Sequence, residues 1–379
     1  MNITISKYEA ICCLGSSADE IYKNAIDGKS DFFDIDSETI QGYTFRLGKV
    51  KETLPEIDEG NYKTRCNSLV LYVLNLLKDD VSALIDKYGA ENIAVIGATT
   101  NSGVDEFEQT GNKILSELGN PAMFVKDYLK LGNIAISVST ACSSGNKAFK
   151  LADRLIASKI AEAVLVVGVD SVTKLPLYGF SSLEILTPQK TNPFSKNVTG
   201  INIGEGCACF IVEKSDKAKG IKVLGVGENS DTFHSTTPDP EAKEAKVAIL
   251  EALNNAKLSS SDIDYINLHG TGTLANDLME SVAINEIFGE NTPSGSTKPL
   301  TGHCLGAASS IETMLCCHLM NNFNGKLFPH VYDGEYNPDF KPIKLVRKDD
   351  TFPKCRYCLS NSFGFGGTNA IIILGKDNG

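Results

Sequence analysis

Short runs rich in Val, Ile and Ala alternate along the chain with longer stretches whose apolar residues recur at helical spacing. The runs contain few polar residues, so they predict strands that are buried on both faces. Helical stretches cover residues 143–159, 241–257 and 306–321. This alternation predicts a layered α/β protein. The strand-like runs are NIAVIGAT (92–99), NIAISVST (133–140), EAVLVVGVDS (162–171), YINLHGTG (265–272) and NAIIILG (369–375).

The charge and cysteine content of the chain limit its environment and its partners. The formal net charge is −11 over 379 residues, which excludes a general nucleic-acid partner because phosphate binding needs a basic surface. The longest apolar run, near SLVLYVLNLL, is far shorter than the ~20 residues of a membrane helix. The opening MNITISKYEAICCLG does not resemble a signal peptide. No membrane span is therefore expected, and the odd number of cysteines, eleven, predicts reduced thiols and a cytoplasmic protein.

Residues 135–149, AISVSTACSSGNKAF, place Cys142 between an apolar run and a predicted helix. Ser143 and Ser144 suit a helix start, which predicts the thiol at the positive end of the helix dipole. Such a position lowers the pKa of a thiol and favours the reactive thiolate. A lone cysteine is more often a small buried hydrophobe. A catalytic interpretation of Cys142 therefore needs partners.

Two of the five histidines lie in loops that favour a functional role. His269 ends the run YINLHGTGT, which predicts it at the C-terminal end of a buried strand, where α/β proteins bind ligands. His303 lies in STKPLTGHCLGAAS, where glycines and alanines permit close backbone approach. His318 and His330 are predicted to be structural or at the surface. A thiolate, two histidines and the glycine-rich SNSFGFGGTNA (360–370) suit acyl transfer through a thioester, with the histidines holding a carbonyl that becomes an enolate.

The sequence carries no motif for a nucleotide or a metal cofactor. Neither GxGxxG nor GxxxxGK[ST] occurs in it. One CxxC, Cys355 to Cys358, lies in a strand-like stretch without a second cysteine pair or a nearby histidine, so we interpret it as core packing. We therefore expect no metal site and no tightly bound cofactor.

Five motifs, in the same order, resemble those of the β-ketoacyl-[acyl carrier protein] synthases, the condensing enzymes with the thiolase fold. The resemblance covers nearly the whole chain and implies a thiolase-like α/β fold of two similar halves in five layers, αβαβα. Residues 1–215 would carry the nucleophilic cysteine, and residues 216–379 the two histidines and a gating loop. The charged turn near Lys214–Gly220 is the predicted junction. The motifs are STACSSG, NPFSKNVTGINIGEGCACFIVE, HGTGT, STKPLTGHCLGAASSIE and SNSFGFGGTN.

The resemblance also implies a role for each residue of the site. Cys142 would carry the acyl chain as a thioester. His269 and His303 would polarise the thioester carbonyl of malonyl-[acyl carrier protein] as it loses carbon dioxide. The other implied roles are an oxyanion hole from the amides of Cys142 and Phe365, an acyl-pocket gate at Phe365, positioning of the second histidine by the pair Lys298 and Glu312, hydrogen bonds from Thr271 and Thr273 to the phosphopantetheine arm, and substrate contacts at Gly364 and Gly366.

The family's partner is an acyl carrier protein, which bears the substrates on 4'-phosphopantetheine. Lys63 and Arg65 match positions that contact the carrier in relatives, and solvated surface charges are the alternative interpretation. The family is dimeric, and the edge of the strand 162–169 is expected to pair across the two-fold axis.

Four stretches, YGFSSLEILTPQ, GINIGEG, STKPLTGH and LFPHVYDGEYNP, look most similar to the ketosynthases of aryl-polyene clusters. This similarity leaves fatty-acid and aryl-polyene or other polyketide elongation open. It also leaves open a homodimer or a heterodimer with a chain-length-factor-like subunit.

A decarboxylative Claisen condensation, catalysed by an acyltransferase, fits these residues best, and three alternatives are weighed against it. Non-catalytic chain-length factors typically lack the cysteine and often a histidine, and this chain has Cys142, His269 and His303. Coenzyme A-dependent thiolases use a second cysteine near the C-terminal glycine-rich loop, and SFGFGGTN has none. A cysteine hydrolase would release the acyl group to water before a malonyl donor arrived.

Overall fold

The computed structural model describes residues 1–58 and 60–376, so residues 377–379 of the second predicted half lie outside the described range. The strands in this part of the chain are β1 (Ile3–Cys12), β2 (Asp34–Asp36), β3 (Phe45–Leu47), β4 (Ile93–Ala98), β5 (Ala135–Val138), β6 (Ala163–Asp170), β7 (Gly206–Lys214), β8 (Ile221–Ser230), β9 (Tyr265–Asn267), β10 (Pro293–Gly295), β11 (Lys344–Leu345), β12 (Tyr357–Gly364) and β13 (Thr368–Lys376). The α-helices are α1 (Ala18–Ile26), α2 (Arg65–Leu76), α3 (Lys78–Tyr88), α4 (Val104–Thr110), α5 (Asn120–Tyr128), α6 (Ser144–Ala157), α7 (Lys174–Ser182), α8 (Lys243–Ala256), α9 (Leu274–Phe288), α10 (Lys298–Thr301) and α11 (Ala308–Asn321).

The main sheet repeats one strand order twice. The first half runs β5-β4-β6-β7-β1 and the second runs β10-β9-β12-β13-β8, with β11 added at its outer edge. Each half pairs its first three strands in parallel and its last two antiparallel. The halves join where Ile3 to Ile5 of β1 pair antiparallel with β8. Because the turn between β7 and β8 separates the two repeats, we propose it as the boundary after residue 215.

Two helices lie between the two sets of strands. α6 and α11 contact strands of both halves, and α11 is buried from Ala308 to Met320. α2 and α5 cover the outer face of the first half, while α8 and α9 cover that of the second. These five layers are the predicted αβαβα arrangement. β6 is buried at every residue. Because strands of this kind are covered on both faces, their sequences do not alternate between apolar and polar residues.

α6 approaches α11 closely because a glycine faces it. A Cβ on Gly145 of α6 would lie 2.3 Å from the Ser310 Oγ of α11. A Cβ on Gly168 of β6 would lie 2.0 Å from the same oxygen. This packing brings together the loops that precede the two central helices, which carry Cys142 and His303.

The prediction that the strand 162–169 pairs across a two-fold axis was wrong. β6 pairs in parallel with β4 on one side and antiparallel with β7 on the other, so it has no free edge. Its long apolar run reflects this central position. The outer strand of this half is β5, which is partly buried and pairs only with β4 among the described residues.

The thiols of the chain lie in the core. All eleven cysteines are free and buried. Cys355 Sγ and Cys358 Sγ lie 3.4 Å apart within the hydrophobic core, in agreement with the core interpretation of the CxxC. Within residues 1–58 and 60–376, no helix is long and apolar enough to cross a membrane.

Candidate active site

Cys142 lies in a strained turn between β5 and α6. Ala141 before it has φ +51°, a left-handed conformation that non-glycine residues rarely adopt. The turn closes through hydrogen bonds from the Ser143 and Ser144 amides to the carbonyls of Thr140 and Ala141, at 3.3 and 3.2 Å. The thiol therefore lies at the N-terminus of α6, as the sequence predicts.

The prediction that this position lowers the pKa of the Cys142 thiol was wrong. Burial raises its pKa to about 12, against the lowering effect of the Lys298 charge and of hydrogen bonds from the amides of Cys142 and Phe365. The side chain is only 7% exposed, so the loss of hydration outweighs the lowering effects of Lys298 and of the two amides. The resting site holds a neutral thiol, and its Sγ lies 2.9 Å from Nε2 of His303.

Two buried imidazoles face the thiol. His269 follows β9 and His303 follows α10, and their ring centroids are 5.5 Å apart at an interplanar angle of 86°. Burial first, and then the positive charge of Lys298, lowers the pKa of both imidazoles well below 6.5. Both rings are therefore neutral at physiological pH, and each can offer one N–H to a carbonyl oxygen.

Lys298 and Glu312 form a buried ion pair beside the first of these histidines. The Lys298 Nζ donates to Glu312 Oε1 at 2.5 Å and to the His269 carbonyl at 2.6 Å. It also lies 3.3 Å from His269 Nδ1. The pair thus contacts His269, whereas the sequence predicts that it positions the second histidine. An ammonium can only donate, so Nδ1 accepts and the proton of neutral His269 lies on Nε2.

Two further buried carboxyl groups shape the loop of His269, and the sequence analysis missed them. Glu280 accepts hydrogen bonds from the amides of His269 and Gly270, both at 2.7 Å, and from Asn361 Nδ2 at 3.0 Å. Asp277 accepts from the Phe194 amide at 2.9 Å, and burial raises its pKa to about 7. The available signal was two acidic residues three positions apart in the mainly apolar stretch LANDLMESVAI.

A cavity of about 190 Å³ opens onto the thiol and both imidazoles. Thr271 and Thr273 line it, and their hydroxyls are 3.0 Å apart. A second, mainly apolar cavity of about 320 Å³ also reaches the thiol. Phe180 and Phe365 line both cavities and pack edge to face, with centroids 5.4 Å apart. The two rings therefore stand where the two cavities meet.

Phe365 lies at the tip of a tight hairpin between β12 and β13. The last ladder pair is Gly364 with Thr368, which leaves residues 365–367 as the tip. Gly366 has φ +79°, and its amide donates to the Ser235 carbonyl at 2.8 Å. Gly364 lies against the nucleophile, since a Cβ there would be 3.2 Å from the Cys142 amide nitrogen.

The two predicted carrier-contact residues lie outside both cavities. Lys63 is exposed. The Arg65 guanidinium donates to Glu205, a carboxylate only 1% exposed, at 2.8 and 2.5 Å. Arg65 is therefore the partner of a buried carboxylate, a role that the sequence analysis did not predict.

The donor set also resembles a soft metal site, since the candidate ligand atoms of Cys142, His269 and His303 lie within 4.8 Å of one another. The Lys298 ammonium, 3.3 Å from His269 Nδ1, places positive charge where it would repel a metal ion. Neutral N–H donors with a nearby cation suit the negative oxygen of an enolate better.

Comparison with known proteins places these motifs in one family. Models of the beta-ketoacyl synthase N-terminal and C-terminal domains match residues 119–218 and 221–330. The 3-oxoacyl-[acyl-carrier-protein] synthase 2 of Coxiella burnetii is 34% identical over 257 residues, 64% of this chain and 61% of that protein. A ketosynthase from Xenorhabdus doucetiae, solved in complex with its chain length factor, is 37% identical with a TM-score of 0.94, over 99% of this chain and 98% of that one. The solved ishigamide ketosynthase/chain length factor is 26% identical with a TM-score of 0.83, over 100% and 99% of the two chains.

Proposed function

The chain belongs to the β-ketoacyl synthase family and is an acyltransferase of the condensing type, and we propose that it lengthens an acyl thioester by decarboxylative Claisen condensation. The observation that carries this proposal is the convergence of Cys142, His269 and His303 in one buried site. The amides of Cys142 and Phe365 add two donors aimed at the same thiol. A nucleophile, an oxyanion hole and a pair of neutral imidazoles are the groups that this reaction needs.

In the first half-reaction, Cys142 Sγ attacks the carbonyl carbon of an acyl group on the carrier's phosphopantetheine. A new S–C bond forms, the carrier's S–C bond breaks, and the thiol proton leaves with the carrier thiol. His303 Nε2, 2.9 Å from Sγ, is in position to relay that proton. The amides of Cys142 and Phe365 hold the negative oxygen of the tetrahedral intermediate.

In the second half-reaction, the carboxylate of a malonyl thioester leaves as carbon dioxide and its bonding electrons pass to the thioester oxygen. The Nε2–H of His269 and the ring of His303 hold this enolate. The carbanion then attacks the acyl-Cys142 carbonyl, so that a C–C bond forms and the C–S bond breaks. The released Cys142 thiolate takes up a proton, and the product is a β-ketoacyl chain two carbons longer.

The substrates are proposed to arrive on the 4'-phosphopantetheine of an acyl carrier protein, with no tightly bound cofactor. The name of the Coxiella relative specifies such a carrier. Thr271 and Thr273 line the cavity where the arm would approach His269, and Lys63 supplies an exposed positive charge for docking an acidic carrier. Gly364 and Gly366 would leave room for substrate beside Phe365.

A second subunit is proposed to pair along the outer strand β5. The Xenorhabdus relative was solved with a chain length factor, which supports a heterodimer of that kind, and a homodimer is the alternative. Elongation of a fatty-acid or aryl-polyene type chain fits either assembly. Eleven free cysteines fit a reducing compartment and support a cytoplasmic location.

The test combines the purified protein with an acyl carrier that bears an acyl chain, and then with a malonyl-loaded carrier. Intact-mass analysis is expected to show an acyl adduct on Cys142, followed by its loss with formation of β-ketoacyl carrier and carbon dioxide. Rapid hydrolysis of the adduct in water alone would instead indicate a hydrolase. No adduct from any acyl carrier, with or without a chain-length-factor-like partner, would overturn the proposal.

A further inference from the structure

Lys147 joins the gating hairpin to the helix that carries the nucleophile. It lies on α6, little more than one turn after Cys142, and its Nζ donates to Thr368 Oγ1 at 2.5 Å. Thr368 is the first residue of β13 and pairs with Gly364 at the last rung below the hairpin tip. The contact therefore fixes the base of the hairpin and leaves the tip outside it.

A series of hydrogen bonds leads from the Thr368 hydroxyl to the turn that holds Cys142. Thr368 Oγ1 lies 3.0 Å from Ser143 Oγ, which donates to the Thr140 carbonyl at 2.7 Å. The Lys147 ammonium can only donate and the Thr140 carbonyl can only accept, so these two ends together fix the direction of each hydrogen bond between them. Thr368 accepts from Lys147 and donates to Ser143, and Ser143 donates to Thr140. This series of hydrogen bonds therefore ends at Thr140, in the turn that holds Cys142.

The environment of Lys147 differs from that of an ordinary structural lysine. Its side chain is partly buried, and its bonding partner is a neutral hydroxyl. Lys150, on the same helix, instead pairs with Glu228 at 3.2 Å and Glu251 at 3.0 Å. Partial burial lowers the pKa of Lys147, and the attraction of the Glu228 carboxylate only partly opposes this, so holding the ammonium here costs free energy. A lysine at this position is therefore better explained by what it positions than by its contribution to stability.

We propose that Lys147 is a positioning residue that clamps the base of the Gly364–Thr368 hairpin to α6, so that the Phe365 amide, which adjoins that base, stays aimed at Cys142 while the Phe365 side chain and the two glycines after it move. The tip has its own contacts outside this clamp, since the Gly366 amide donates to the Ser235 carbonyl and the Asp231 amide to the Gly367 carbonyl. Those two bonds can break when the tip opens, and the base remains in place. The inference rests on the proposed function, because the positioned groups are the proposed oxyanion hole and gate.

The test measures the single-turnover rate of Cys142 acylation and the hydrogen exchange of the hairpin peptide. Lys147→Met is expected to slow acylation roughly tenfold, because a charge-assisted hydrogen bond is lost, and to increase exchange at residues 363–368. Lys147→Arg, which keeps a charged donor, is expected to recover most of the rate. Lys150→Met is the matched control, and it is expected to change neither readout.

A double-mutant cycle with Thr368→Val separates the clamp from a general loss of stability. Thr368→Val removes the bond to Lys147 and also the bond to Ser143, so it is expected to be at least as slow as Lys147→Met, and adding Lys147→Met to it is expected to slow acylation little further. Additive effects, or equal effects of Lys147→Met and Lys150→Met per folded molecule, would overturn the proposal. If Lys147→Met does not fold, the acylation rates of Thr368→Val and Lys147→Arg are compared instead, and only Thr368→Val is expected to be slow. Absence of acylation in the unaltered protein would count against the proposed function itself, whereas normal acylation in Lys147→Met counts only against the clamp.

Discussion

The two halves of the molecule share one strand order and differ in the loops at the same edge of the sheet. In the first half, a short turn leads from β5 into α6 and places Cys142 at the helix start. In the second half, the corresponding connection from β10 to α11 is longer, and it holds Lys298 and His303. The strand order thus fixes where the loops meet, and the loop residues decide which chemistry each half supplies.

The connections of the antiparallel strands differ in the same way. Residues 171–205, which include α7, join β6 to β7, whereas residues 365–367 alone join β12 to β13. The long connection brings Phe180 over the thiol and the short one brings Phe365 to meet it. One half therefore supplies the nucleophile and the other supplies the charged and imidazole groups that stabilise negative oxygen.

Removal of the nucleophile is expected to have the largest effect. Cys142→Ala should lower the rate of elongation by at least about 10⁴-fold, because no other group can form the thioester. The measurement is the rate of β-ketoacyl carrier formation. Cys209→Ala, which removes a buried thiol of β7, is the control and should remain active. Elongation by Cys142→Ala at more than a hundredth of the normal rate would refute the assignment of the nucleophile.

Removal of an imidazole from the second half is expected to be the next largest effect. His269→Ala should slow condensation about 10²–10³-fold, because one donor to the developing enolate oxygen is lost. His318→Ala, which removes a buried histidine of α11 whose Nε2 lies 2.9 Å from Asp19 Oδ1, is the control. Pre-steady-state quenching should show acyl-Cys142 accumulating in His269→Ala. Equal slowing of acylation and condensation would show that His269 acts in both half-reactions, which contradicts the division between the halves.

Lys63 and Arg65 are expected to separate carrier docking from stability. Arg65→Met leaves the Glu205 carboxylate buried without its partner, which should cost about 2 kcal/mol of unfolding free energy, less than a fully buried pair because Arg65 is partly exposed. Lys63→Met should leave the unfolding free energy within about 0.5 kcal/mol and raise the KM for the carrier. Denaturant titration and steady-state kinetics check these outcomes. If Arg65→Met weakens carrier binding without a loss of unfolding free energy, Arg65 contacts the carrier as the sequence predicts.

The pH dependence is expected to be the smallest effect. An imidazole with the usual pKa near 6.5 is about three-quarters protonated at pH 6, but burial keeps the pKa of His269 and His303 well below that value. Burial raises the pKa of Glu312 to about 7. As the pH falls, protonation of Glu312 leaves the positive charge of Lys298 less compensated, and this charge keeps the pKa of His269 low. The condensation rate measured with saturating carriers should therefore stay within about twofold from pH 8 to pH 6. A fourfold fall centred near pH 6.5 would show an ordinary histidine in the reaction.

The sequence predicted the elements and motifs of the site because they are local. Alternating buried runs and helical patterns define β4, β6 and α6, and the motifs contain Cys142, His269 and His303. The outer strand could not be predicted, because an apolar run has the same composition in a central strand as in a partly covered one. The free edge of β5 follows only from the pairing of the whole sheet.

The electrostatic properties of the site also depended on residues far apart in the chain. The raised pKa of Cys142 reflects its burial by loops from both halves, which outweighs the lowering effects of Lys298 and of the amides of Cys142 and Phe365. Arg65 meets Glu205 across 140 positions of sequence, and Glu280 meets Asn361 across 81. No local sequence pattern indicates such pairings. The contact of Lys298 with His269 and the role of Arg65 therefore follow only from the folded structure.

The most direct test of the division between the halves measures carbon dioxide released from a malonyl-loaded carrier in the absence of any acyl group. If the second half stabilises the enolate by itself, Cys142→Ala should still release carbon dioxide, while His269→Ala should release it about 10²–10³-fold more slowly. Loss of carbon dioxide release in Cys142→Ala together with its persistence in His269→Ala would contradict the account.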